Sequence, residues 1–155
     1  MVKHSRWGIG LTGVVGIAVV LALVLGVTGV LGHVVFMQRD PVPAWVQRIA
    51  LVDEALGRAD MSRALYEWRE AYGAANRSGS SEGLIAVGDR AIRLAERSSG
   101  SGYFLTEARY IYMHAAFRAR AERSRDTIRR IVDVFEKLGD AERAGQVRRI
   151  AENLS

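Results

Sequence analysis

Between Trp7 and Met37 the chain runs for 31 residues without an Asp, Glu, Lys or Arg: WGIGLTGVVGIAVVLALVLGVTGVLGHVVFM. About 20 apolar residues suffice to cross the hydrocarbon core of a bilayer as a helix rising roughly 1.5 Å per residue. A surface helix of a water-soluble domain keeps a polar face, and a core helix has no reason to be apolar all round for about eight turns. Residues 7–37 are therefore expected to form a transmembrane helix. Residues 1–6 would be a short tail, 38–43 a linker and 44–155 a separate domain.

The run is about twice as long as the apolar region of a cleaved signal peptide, and Val34-Val35-Phe36-Met37-Gln38 offers no small-x-small cleavage site. An uncleaved signal anchor is the expectation. Lys3 and Arg6 lie directly before the run, whereas Arg39, Arg48 and Arg58 are spread out after it among acids. The positive-inside rule then places the N-terminus in the cytoplasm and the domain outside; the expected location is a bacterial inner membrane with the domain in the periplasm. Trp7 at one end, with Phe36 and Trp45 at the other, suits the two interfacial belts.

Small residues in the run share one side. At about 100° per residue, Gly8, Thr12, Ala18, Ala22, Gly26, Gly29 and His33 fall within a third of the circumference. Small-xxx-small steps let a second helix approach closely, so this stripe is expected to pack against integral membrane subunits or another copy of the chain. A general abundance of glycine in membrane spans is the plainer explanation of the same residues. His33 is the one ionisable side chain there. Gly29-xxx-His33 is similar to the small-xxx-His step that seats a chlorin or haem in light-harvesting and cytochrome proteins. That likeness implies His33 as a chlorin or haem ligand, the alternative to an interfacial or packing role. No cofactor is otherwise expected.

About 118 residues follow the run, enough for one modest core. Of the 22 basic residues only Lys3 and Lys137 are lysine, and 17 acidic residues all lie after the run. Nucleic acid is not an expected partner, because the domain's basic excess is small and compensated. The chain has no cysteine, which excludes disulfides and thiolate chemistry.

From Ala44 onward apolar residues recur at three and four: Trp45, Ile49, Val52 and Leu56; Leu65, Trp68 and Tyr72; Leu84, Val87, Ala91 and Leu94. The pattern continues with Phe104, Ala108, Ile111 and Ala115, then Ile128, Ile131, Val132, Phe135 and Leu138. Breaks at Gly57–Asp60, Asn76–Ser81, Ser98–Gly102, Arg120–Arg125 and Gly139–Asp140 divide the domain into about six amphipathic helices. The first is expected to start in Asp40-Pro41-Val42-Pro43, with Asp as cap and Pro in the first turn. The fold class is all-α.

Two segments answer each other: Gly57-Arg58-Ala59-Asp60-Met61-Ser62-Arg63-Ala64 and Lys137-Leu138-Gly139-Asp140-Ala141-Glu142-Arg143-Ala144. Each is a short turn with an Asp cap and an Ala four residues later. Here the chain resembles the tetratricopeptide repeat, a 34-residue helical hairpin with small residues at fixed points. On that pattern the first repeat starts at Trp45, with Asp60, Ala64, Trp68 and Ala71 in place. The second starts near Ser81, with Leu84, Val87, Gly88 and Ala91, and needs a hairpin about ten residues longer than the family's. The third starts near Arg125, with Ile128, Ile131, Val132, Phe135, Gly139, Asp140, Ala144 and Ala151. An unrelated helical bundle is the alternative.

The resemblance implies a groove lined by the first helix of each hairpin. Its positions would be Val46, Ile49, Asp53 and Leu56, then Ile85, Asp89 and Ile92, then Arg129 and Asp133. Asp53, Asp89 and Asp133 hold the same place in successive repeats, where repeats that clamp a C-terminal carboxylate carry Asn and Lys. Acid there argues against such a clamp, and apolar positions with acid points suit an amphipathic helix or peptide carrying a few basic residues, bound as a protein partner in the groove. The plainer reading makes Ile49, Ile85 and Ile92 ordinary core and the aspartates solvated.

No enzyme is expected. His114 is the domain's one histidine, in an aromatic helix with Tyr110, Tyr112 and Phe117, and no metal-ligand spacing accompanies it. Glu67 and Glu70, flanked by Arg63 and Arg69, read as surface pairing. The run Arg118, Arg120, Arg123, Arg125, Arg129 and Arg130 reads as a solvated face with internal pairs, although it could also meet lipid headgroups or an acidic protein. The layout resembles single-span accessory proteins with periplasmic repeats that attend secretion and cytochrome-assembly machines. That likeness implies a membrane-anchored interaction module, an accessory or scaffolding subunit of a larger complex.

Overall fold

The structure, a computed structural model, describes residues 42–98 and 101–152. The expected span and its stripe (Gly8, Thr12, Ala18, Ala22, Gly26, Gly29 and His33) lie outside the described residues. No helix within them is long and apolar enough to cross a membrane.

The described residues form six helices and no strand: α1 Ala44–Gly57, α2 Met61–Ser78, α3 Ser81–Arg97, α4 Ser101–Ala121, α5 Arg125–Lys137 and α6 Ala141–Glu152. Most starts are fixed by a side chain that accepts a bond from an otherwise orphaned first-turn N–H. The Asp60 carboxylate takes the Arg63 N–H at 2.9 Å and Asp140 that of Arg143 at 3.1 Å. Ser80 and Ser124 do the same for Gly83 and Thr127. The first helix differs from expectation. Its N-cap is Pro43, which has no side-chain donor or acceptor, so α1 begins without a side-chain cap, and the expected cap Asp40 lies outside the described residues.

Three of the five connections are one and the same turn. Its middle residue is left-handed (Ala59 φ 57°, Arg123 φ 55°, Gly139 φ 69°). The residue after it donates its N–H back to the fifth residue before, Asp60 to Ala55, Ser124 to Ala119 and Asp140 to Phe135, each at 2.9 Å. This closes the carbonyls of the preceding helix and reverses the chain within three residues.

Two of these turns close hairpins, at Ala59 between α1 and α2 and at Gly139 between α5 and α6, while the Arg123 turn joins α4 to α5. α1 packs on α2, α3 on α4 and α5 on α6, and the hairpins stack in chain order. α3 lies against both α1 and α2, and α5 against both α3 and α4. Among the described residues the first hairpin does not reach the third.

One apolar core runs through the stack, with Val52, Ile85, Ile111, Ile128, Ile131 and Phe135 fully buried. Each such side chain contributes roughly 1.5–3 kcal/mol through burial. Small residues set the spacing: Ala64, Ala71, Ala91, Ala108, Ala115 and Ala144 have no exposed surface. Gly88 is the closest approach. A Cβ there would sit 2.9 Å from Cζ of Tyr112, so α3 can lie on that ring only with hydrogen at position 88. Trp68 ties three helices together. Its ring packs edge-on to Phe104 of α4, and its Nε1 donates to the Val87 carbonyl of α3 at 3.0 Å. Trp45 is half-buried against this core.

Candidate interaction surface

The first helices of the hairpins are joined by acid–arginine bridges. On α1, Asp53 accepts from Arg90 Nε at 3.2 Å and Nη2 at 2.6 Å, a two-pronged contact with α3. Arg93, one turn on, reaches the same carboxylate at 2.5 Å. On α3, Asp89 faces Arg130 of α5 at 3.7 Å, and Arg130 also binds Glu82 at 2.9 Å. Asp89 further accepts the Tyr112 hydroxyl at 2.5 Å. Burial, and then this bond to Asp89, push the Tyr112 phenol well above its ordinary range.

Asp53 and Asp89 thus serve the junctions between hairpins. The apolar positions assigned to the same groove divide in two. Ile49, Leu56 and Ile85 are buried in the core and present almost no surface to a ligand. Val46 and Ile92 are half-buried, whereas Arg129 and Asp133 are exposed. Asp133 is the third aspartate of the series, and among the described residues nothing bonds or ion-pairs with its carboxylate. Beside it, between α5 and α6, lies a cleft of about 380 Å³ with Ile128, Val132 and Ala151 in its wall.

Two other polar constellations hold the fold. Glu67 is fully buried, not a surface pair: Arg48 of α1 donates to Oε2 at 2.7 Å, and the Arg63 guanidinium lies 2.5 Å from Oε1. Sequence neighbours alone could not disclose this, because Arg48 arrives from nineteen residues away when the hairpin closes. Asp140 is the second. Burial raises its carboxyl, but the side-chain and backbone bonds from Arg143, with Arg109 at 3.2 Å, outweigh that and hold it below the usual range.

The aromatic helix α4 is sorted by the fold. Tyr112 is buried, while Tyr103, Tyr110 and Phe117, spaced at sevens, are each more than half exposed on the opposite side. His114 lies against Tyr110 with ring centroids 4.4 Å apart. The arginine run is partly structural, since Arg130 bridges to α3 and Arg129 pairs with Asp126 at 2.9 Å. Among the described residues no cluster of His, Cys, Asp or Glu could hold a metal ion.

No family model matches the chain, and neither does any curated protein or solved structure.

Proposed function

We propose that this protein is a membrane-tethered adaptor, an accessory or scaffolding subunit of a larger inner-membrane complex. The observation that carries the reading is the uncharged 31-residue run, followed within seven residues by a helical-hairpin stack. The run serves as a signal anchor with a cytoplasmic N-terminus, and its small-residue stripe packs against integral membrane subunits. The stack is a tetratricopeptide-like domain that binds a protein or peptide on the far side. Support for that comes from the Asp60 and Asp140 turns, the buried Ala64 and Ala144, and packing confined to successive hairpins. Adaptor work also suits the polar groups: Asp53, Asp89 and Glu67 are engaged in holding helices together.

The test is site-specific photocrosslinking of the full chain in its native membrane, with the probe at Gly26 in the run and at Ile92 or Arg129 in the domain. Discrete, stoichiometric adducts with the same complex from both regions are expected. Adducts with lipid alone, or with no protein at any position, would overturn the adaptor reading. A purified chain with Soret or Qy absorbance lost on His33→Ala would instead establish a cofactor-bearing subunit.

A further inference from the structure

Two of the three furrows in this stack are filled by the chain itself. α3 occupies the furrow of α1 and α2, and α5 that of α3 and α4. Each time, the first helix of the furrow offers an aspartate and the incoming helix brings arginine: Asp53 receives Arg90 and Arg93, and Asp89 receives Arg130.

We propose that the third furrow, between α5 and α6, seats an amphipathic helix of a partner protein that carries a basic residue to Asp133. Among the described residues no helix fills it, and the cleft there is walled by Ile128, Val132 and Ala151. Asp133 holds on α5 the place that Asp53 and Asp89 hold on α1 and α3. It differs from them in having no cationic partner among the described residues. The guanidiniums of the same cleft are engaged, Arg129 with Asp126 and Arg148 with Glu136. Apolar floor and unanswered carboxylate together match an amphipathic helix with Lys or Arg one step from its apolar face.

The chain's own first helix does not fit this description. By the register of Asp53, the α1 positions matching Arg90, Arg93 and Arg130 are Glu54, Gly57 and Ala50. The one basic side chain within α1, Arg48, is bound to Glu67. A second copy stacked head to tail would set Glu54 against Asp133, and like charges disfavour it.

This inference rests on the reading of the domain as a binding module, not on the membrane tether. The chain has no cysteine, so Ala151→Cys supplies a single thiol for an environment-sensitive fluorophore in the cleft. The labelled full chain, in detergent micelles, is titrated with a synthetic peptide of residues 81–97, the helix that brings Arg90 and Arg93 to Asp53 in the intact fold. A saturable spectral shift is expected, weakened at least about tenfold by Asp133→Arg and restored by a peptide carrying Arg90→Glu and Arg93→Glu. Asp133 is exposed and unpaired, so its replacement leaves helical circular dichroism and melting unchanged. Should Asp133→Arg misfold, Asp133→Asn serves in its place, with a smaller loss. Affinity unaffected by Asp133, no saturable shift, or a shift that grows with chain concentration in the absence of peptide would overturn the proposal, the last by showing a second copy in the furrow. Failure of the tether would leave this titration unchanged, and so the two are told apart.

Discussion

Asp53 and Arg90 meet through two parallel hydrogen bonds, of 2.6 and 3.2 Å, across the junction of the first and second hairpins. Paired guanidinium–carboxylate geometry is the strong form of this contact, but both side chains keep some water. We expect Asp53→Ala to cost roughly 0.5–1 kcal/mol, in the upper part of the range for accessible pairs. A double-mutant cycle with Arg90→Ala, read from urea melts, should show a coupling that shrinks as salt is added.

The buried Glu67 makes a sharper case. Removing a buried ion together with its need for partners is cheap, whereas removing the partners alone strands a charge. Arg48 and Arg63 both have exposed side chains that can return to water. Glu67→Met should therefore melt at the wild-type temperature or above. Arg48→Met with Arg63→Met should lose several kcal/mol, about 3–5 by analogy with other broken buried pairs. Comparable losses in the two variants would show that Glu67 is solvated.

The left-handed turns differ in residue but not in geometry. Ala59 has φ 57° where Gly139 has φ 69°. A Cβ in that region costs roughly 1–2 kcal/mol, partly offset because glycine loosens the unfolded chain. Ala59→Gly is expected to stabilise the domain by about 0.5 kcal/mol and Gly139→Ala to destabilise it by about 1 kcal/mol. Thermal melts of the two variants check the opposite signs.

Tyr112 links stability to alkaline pH. Burial, then the bond to Asp89, raise its folded pKa above the unfolded value of about 10. Below that pH both states hold the proton and the full stabilisation is present. As pH rises past it, the unfolded chain releases a proton that the native state keeps, so stability falls. Urea melts between about pH 9 and 11 should show this slope, and Tyr112→Phe should lessen it. At neutral pH the same variant should cost about 1 kcal/mol for the lost hydrogen bond.

The helical plan was legible because local signals carry it. Ile128, Ile131, Val132 and Phe135 mark one side of α5 by spacing alone, and Asp60 and Asp140 announce the turns that they cap. What a helix side faces is set by residues far along the chain. Asp53 reads as an exposed acid until Arg90 arrives from 37 positions on. Ile49 and Ile85 fit a groove or a core equally well by period, and only the neighbouring helices decide for the core. Pro43 stands at the cap with φ −54° and ψ 137°, a ring-fixed φ and an extended ψ that end at the first turn of α1 and need no side-chain bond.

Whether residues 7–37 hold the domain at a bilayer is decided by extracting vesicles from the native host with alkaline carbonate. Intact chain that stays in the pelleted membrane, and leaves it when residues 7–37 are deleted, is the predicted result. Full-length chain released into the supernatant would contradict it.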